Sequence, residues 1–143
     1  MSREYPDKPL IGVGAVIVEH GRVLLIRRGH PPLLGEWSLP GGVLECGETL
    51  SAATAREALE ETGLIVETLE MLGVYERIIP SEDGRIRYHY VLIDFLCRSV
   101  GGNLQASSDA SDARWFAREE LPPLKLAFDA SDVVAKGFDR AQE

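Results

Sequence analysis

Gly42 to Leu64 reads GVLECGETLSAATAREALEETGL and holds five glutamates, Glu45, Glu48, Glu57, Glu60 and Glu61. Ala53, Ala55, Ala58 and Leu59 favour a helix over Thr49 to Thr62, and Gly63 is placed to stop it. On such a helix Glu57 and Glu61 stand at i and i+4, with Glu60 at i+3. Side chains at these spacings are neighbours, roughly 5–6 Å apart at Cβ. Three carboxylates so close repel one another. Arg56 is adjacent in sequence and offsets part of that charge, and a bound cation is the natural remedy for the rest. Oxygen-only ligands select hard ions such as Mg²⁺ or Mn²⁺. A bare run of glutamates on a helix is more often a solvated face. The upstream residues argue against that here. Gly41-Gly42 ends a strand-like run, and Gly47-Glu48 turns the chain into the helix, so backbone is brought close to a ligand at both turns.

Gly42, five residues, Glu48, seven residues, then Arg56-Glu57-Ala58-Leu59-Glu60-Glu61-Thr62-Gly63-Leu64 resembles the Nudix box of the Nudix hydrolases. The family pattern is G-x5-E-x7-R-E-U-x-E-E-x-G-U, with U a bulky aliphatic residue. Ala58 is small where U is expected, a departure that touches packing under the helix and not a ligand. The resemblance extends outward through the entry hairpin, RR-x-x-PP-x-x-G-x-W-x-LPGG and ARWF-x-x-EEL, over most of residues 11–126. Together these segments are similar to the ADP-ribose pyrophosphatase-like and nucleotide-hydrolase branch of the family.

The resemblance implies an α/β (α+β) Nudix fold, a curved mixed β-sheet sandwiched between helices. It implies metal-dependent hydrolysis of a nucleoside diphosphate linked to another group X. Glu57 and Glu61 are then the inner metal ligands, Glu60 a ligand directly or through water, and the Gly41 carbonyl a further oxygen ligand. Arg56 orients a box glutamate, and Glu48 holds Arg56 or the loop. An acidic residue from the loop ahead of the Trp-Phe strand, Asp109 or Asp112, is a candidate further ligand or catalytic base, set against ordinary loop solvation. The expected cofactor is Mg²⁺ or Mn²⁺ and the expected partner a small nucleotide substrate, with a homodimer as a family-level expectation.

Composition bounds these readings. A chain of 143 residues is expected to form one domain, with its core at about residues 9–138. No apolar run reaches the eighteen or so residues of a membrane span, and no signal-peptide core follows Met1, so cytoplasm is the default expectation. A net charge of −8 argues against nucleic-acid binding by general electrostatics. It also disfavours a polyanionic substrate unless divalent ions accompany it. Cys46 and Cys97 are too few for a disulfide scaffold or a zinc spacing; Cys97 reads as core and Cys46 as a bystander in the motif loop.

The remaining chain supplies strands and weaker candidates. Ile11–Glu19 and Arg22–Arg27 form a hairpin about His20-Gly21. Arg27 and Arg28, at its end, are candidates for gripping substrate phosphates, against a surface ion-pairing role. Trp37 reads as a loop anchor. Ile65 to Ile79, interrupted near Leu72-Gly73, turns at Ser81–Gly84 into Ile86 to Arg98. There Tyr88 and Tyr90 share one face and His89 takes the other; all three are candidates for substrate contact, with a structural role favoured for His89. Arg118–Leu121 is a short turn stopped by Pro122-Pro123. A last helix capped by Asp129 or Ser131 ends near Phe138. Met1–Lys8 and Arg140–Glu143 read as loose ends.

Two other classes of function compete with hydrolysis. A ligand sensor on the same fold predicts a damaged box, whereas Arg56, Glu57, Glu60 and Glu61 are all in place. A Nudix-fold isomerase of isoprenoid diphosphates needs a placed catalytic Cys, which this pattern lacks. Within hydrolysis, a nucleoside triphosphate pyrophosphohydrolase is the alternative to an ADP-ribose-like substrate.

Overall fold

A computed structural model describes residues 3–106 and 110–141. Its elements are β1 (Leu10–Glu19), β2 (Arg22–Arg28), β3 (Trp37–Ser38), β4 (Gly41–Val43), α1 (Leu50–Thr62), β5 (Leu64–Pro80), β6 (Ile86–Gly102), β7 (Ala110–Ala117) and α2 (Ser131–Arg140). Short 3-10 turns cover Arg118–Glu120 and Ala127–Asp129. The seven strands form one mixed sheet in the order β3-β2-β1-β6-β5, with β4 on β1 and β7 on β2. β1 and β6 run parallel from Leu10/Tyr90 to Ile17/Cys97, and the other pairings are antiparallel.

Strand alternation places one apolar set on each face of this sheet. Val16, Val18, Val23, Leu25 and Leu96 pack beneath Val133 and Val134 of α2. Ala15, Ile17, Leu24, Phe95 and Cys97 pack beneath Ala58 of α1. The sheet is therefore sandwiched between helices, as the resemblance implied. Ala58 is fully buried against this second set, so its small side chain sits where helix meets sheet.

Local chemistry fixes α1. Thr49 caps it, its Oγ1 accepting the Ala52 N–H at 3.1 Å. Gly63 ends it at φ 78, donating to the Leu59 carbonyl at 2.9 Å. The buried hydroxyls of Thr54 and Thr62 donate to carbonyls one turn back, Leu50 and Ala58. The His20-Gly21 turn has φ of 52 and 73, the two left-handed residues a tight hairpin demands.

Several boundaries differ from the sequence expectation. Gly41-Gly42 does not end a strand but begins β4, paired with β1. β5 runs unbroken through Leu72-Gly73, where the pairing with β6 shifts register instead. Neither Asp129 nor Ser131 caps α2: the cap is Ala130, with no side-chain bond, because Ser131 is already helical and Asp129 lies in the preceding 3-10 turn. The described part of the N-terminal segment is tied down. Tyr5 donates its N–H to the Arg87 carbonyl at 2.7 Å, and Glu4 pairs with Arg87 at 2.8 Å.

Gly63 is the point where a substitution tests this frame. Its left-handed φ disfavours any side chain, and a Cβ there would collide with the Asn103 carbonyl oxygen. Gly63→Ala is expected to lower unfolding stability by about 2 kcal/mol or more, read from the urea midpoint. An unchanged midpoint would show that the helix stop does not bear on the fold.

Candidate functional site

A cavity of about 540 Å³ opens between the α1 edge of the sheet and the face covered by α2. Glu45, Arg56, Glu57, Glu60 and Glu61 line one end of it, beside Gly41 and Gly42 of β4. Tyr75, Arg77, Tyr90, Asp94 and Phe128 line the other, and Arg28 also contributes.

Arg56 organises the acidic end. Its Nε and Nη2 donate to both oxygens of Glu48, at 2.7 and 2.9 Å. Nη1 donates to Glu57 at 2.9 Å and approaches Glu60 at 3.4 Å, while Nη2 also reaches the Val43 carbonyl at 3.3 Å. The fork thus binds the turn before the helix to the helix itself, a geometry a lysine lacks. Glu48 also accepts the Glu45 N–H at 3.0 Å. These bonds, Arg56 first, hold the Glu48 carboxyl down at about 2. Arg56 is pushed correspondingly upward, chiefly by Glu48.

Glu57 and Glu61 reach β4 from the helix. The Glu57 carboxylate lies over Gly42, where an added Cβ would stand 2.5 Å from its oxygens. Only glycine leaves that space. Burial raises the Glu57 carboxyl above its ordinary value, opposed by Arg56. Glu61 is buried, and its Oε1 accepts the Gly41 N–H at 2.7 Å. Glu60 is the exposed member of the three.

As placed, no three His, Cys, Asp or Glu side chains among the described residues converge on a single metal position. Arg56 accounts for this, since its guanidinium takes up Glu48 and Glu57 and sits beside Glu60. The donor type nonetheless suits a hard divalent ion. Carboxylate oxygens line this end of the cavity, and burial penalises Glu57 for carrying charge without a further cation.

The two arginines at the end of β2 separate. Arg27 is exposed, donates to the Gly35 carbonyl and lies outside the cavity lining. Arg28 faces the cavity, with Nε on the Pro32 carbonyl at 2.6 Å and its guanidinium 5.0 Å from the Phe128 ring centre. Burial lowers its affinity for its proton. Asp112 sits on β7 outside the cavity lining, bonded to its neighbours Ala113 and Arg114. Asp109 lies outside the described residues. Tyr88 and Tyr90 are buried on one face with stacked rings, while His89 points to the other face, half-buried. Trp37 packs edge-on against Phe116 at 5.0 Å. Cys97 is buried, which pushes its thiol up to about 12, and Cys46 is exposed.

Sequence reasoning missed Asp94, Tyr75, Arg77, Phe128 and Arg3, all of which line the cavity. The available signal was an acidic residue inside the apolar run VLIDFLC, since an unpaired Asp is rarely buried without a reason. Asp94 is 6% exposed, and burial raises its carboxyl to about 6, with Arg77 opposing.

Residues 8–137 match the NUDIX domain family. The chain is 41% identical over 126 residues to an ADP-ribose pyrophosphatase of Methanocaldococcus jannaschii, covering 88% of this chain and 71% of that protein. It is 36% identical over 129 residues to the 8-oxo-dGDP phosphatase NUDT18 of Mus musculus, covering 87% of this chain and 37% of the relative. Among solved structures, a MutT NUDIX hydrolase from Burkholderia pseudomallei superposes with a TM-score of 0.77 at 30% identity, covering 95% of this chain and all of that one. These relatives place the chain in a family of hydrolases that act on phosphoanhydride bonds. The chain belongs to the Nudix family and is a pyrophosphohydrolase of nucleoside diphosphates linked to a further group.

The raised Asp94 carboxyl has a consequence for stability. Its folded value of about 6 exceeds the ordinary 3.8, so the folded state holds this proton more tightly than the unfolded chain. The associated stabilisation is present below about pH 4 and is lost as pH rises through 6, by at most about 3 kcal/mol. The stability of Asp94→Asn relative to wild type should therefore increase between pH 4 and 7. A difference that stays flat over that interval, by chemical denaturation, would contradict the assignment.

Proposed function

We propose that this protein hydrolyses an ADP-ribose-like substrate, with Glu57, Glu60, Glu61 and the Gly41 carbonyl holding Mg²⁺ or Mn²⁺ at the α1 end of the cavity. The observation that carries this reading is the continuity of one cavity from the box glutamates to the aromatic cleft under α2. A diphosphate at the first end leaves its organic end in the second. The M. jannaschii relative supports ADP-ribose. The mouse relative favours oxidised nucleoside diphosphates as the second substrate class.

A bound divalent ion supplies charge neutralisation for the diphosphate and acidifies water. The chain's own part is positioning. Glu48, ionised at any working pH, fixes Arg56, and Arg56 fixes Glu57 against β4. The Gly41 N–H fixes Glu61. Arg28 and Arg3, on the cavity wall, offer charged donors to phosphate oxygens. This assignment omits Asp112, whose carboxylate is taken up by Ala113 and Arg114. Cytoplasmic residence agrees with such small-molecule work, and no helix among the described residues is long and apolar enough to cross a membrane.

The direct test is product release from a panel of ADP-ribose, NADH, diadenosine polyphosphates, sugar nucleotides and common and oxidised nucleotides, in millimolar Mg²⁺. Cleavage of ADP-ribose above the others, abolished by chelator, is expected. Tight binding of one compound with no turnover of any would replace this reading with a sensor. Glu61→Gln should lower kcat by about 100-fold or more, with the fold intact by circular dichroism. Wild-type rates in that variant at saturating Mg²⁺ would remove Glu61 from the ligand set.

A further inference from the structure

Two polar groups in the cavity, on β5 and β6, lack hydrogen-bond partners among the described residues. The Tyr75 hydroxyl is buried with no hydrogen-bond partner. Asp94 is 94% buried by its 6% exposure and has no hydrogen bond among the described residues. The cation that acts on it, Arg77, directs three of its donors to the carbonyls of Glu76, Phe128 and Asp129. A buried polar group without a partner costs the fold free energy and calls for an explanation.

The floor beneath these groups is cleared for them. Sheet pairing sets Gly41, Gly14, Asp94 and Gly73 side by side across four strands, β4, β1, β6 and β5. The Asp94 carboxylate leans over Gly14, where any Cβ would strike it. The Tyr75 ring folds back over Gly73, where a Cβ would lie 2.5 Å from the hydroxyl. Glycine on both sides of Asp94 therefore leaves room for two polar atoms above the sheet. Leu92, Ala130, Val133, Tyr90 and Phe128 supply apolar and aromatic wall around them, with the Arg28 and Arg77 guanidinium groups over the Phe128 and Tyr75 rings. Tyr90 and Phe128 meet edge to face at 5.7 Å.

We infer that Asp94 and Tyr75 are a specificity pair, receiving a hydrogen-bond-donating edge of the substrate's organic end. The inference rests on reading the cavity as a nucleotide site. A carboxylate accepts two donors from one ligand edge, and a phenol adds a donor or acceptor beside it. A flat ring fits between the aromatic and aliphatic walls. Two sources present that chemistry, the N–H groups of a nucleobase and the vicinal hydroxyls of a ribose. Either one, placed here, satisfies both orphaned groups. An analogue lacking the donors leaves them buried and unpaired, which is the strong form of discrimination.

The test uses ligands without phosphate and a solution without metal, so that it is independent of hydrolysis. Adenosine, guanosine, purine riboside (which lacks base N–H donors) and ribose are titrated into the ¹⁵N-labelled protein. The inference expects saturable amide shifts at Tyr75 and Asp94. It expects affinity at least tenfold weaker in Asp94→Asn and weaker in Tyr75→Phe. Loss of binding with purine riboside assigns the base edge; retained binding of purine riboside together with ribose assigns the sugar. In turnover assays the same variants should raise KM and leave kcat near wild type. Their melting temperatures at pH 7.5 should equal or exceed wild type, since a purely structural Asp94 would lower them. Ligand shifts absent from Tyr75 and Asp94, or unchanged affinities in both variants, would overturn the inference while leaving the hydrolase reading standing. Shifts at these residues with no turnover of any diphosphate would do the reverse.

Discussion

The rest of the site depends on one guanidinium. Arg56 sits between the turn that enters α1 and the carboxylates along it, bonded to Glu48, Glu57 and the Val43 carbonyl. Without it, the Glu48, Glu57 and Glu60 carboxylates that its guanidinium joins would lose their shared counter-charge. Like charges so close cost more as they are buried. Arg56 converts that repulsion into a frame with fixed directions. Glu48 is locked ionised and serves as the anchor. Glu57 is held against β4, and Glu60 remains at the exposed rim. Charge pairing here works as positioning, since the pairs are partly exposed and contribute little to stability by themselves.

The same logic explains how a chain of net charge −8 accommodates a polyanion. Net charge describes the whole surface, whereas binding depends on the cavity. There the acidic residues lie mainly at one end, and Arg3, Arg28 and Arg77 are distributed along the wall. A diphosphate therefore meets fixed cations of the protein as well as any ion held by the glutamates. Arg28 shows the cost of that placement: burial weakens its hold on its proton, and the Phe128 ring beneath it returns part of the loss through its π face.

The acidic end of the site was legible in sequence because its chemistry is local. Helix spacing sets Glu57, Glu60 and Glu61 on one side, Thr49 and Gly63 mark the ends, and Gly42 clears space for the Glu57 carboxylate within the same motif. The mixed sheet between two helices followed from resemblance and from strand composition. The other end of the cavity was not legible, because it is assembled across strands. Asp94 becomes a site residue only when β1 and β6 pair in parallel and set it beside Gly14. Tyr75 joins it through a register shift in β5 near Gly73, where the sequence suggested only a break. Arg27 and Arg28 looked equivalent in sequence. Strand alternation, the same rule that placed Tyr88 and Tyr90 together, turns one outward and the other into the cavity.

This difference separates what the fold conserves by construction from what it leaves adjustable. The glutamate end rests on α1, its caps and β4, which supplies the Gly41 N–H to Glu61 and the Val43 carbonyl to Arg56. The Asp94 end is built from side chains of β5 and β6, from α2 and from the 3-10 turn at Ala127–Asp129, where Phe128 adopts a left-handed φ of 58. Their side chains take no part in the hydrogen bonds of Arg56. A single reaction centre can in this way serve different organic groups, with selectivity set by residues that the box does not contain. Asp94 bears the mark expected of such a residue. It sits in a buried, poorly partnered position that lowers stability near neutral pH, in the otherwise apolar run VLIDFLC of β6.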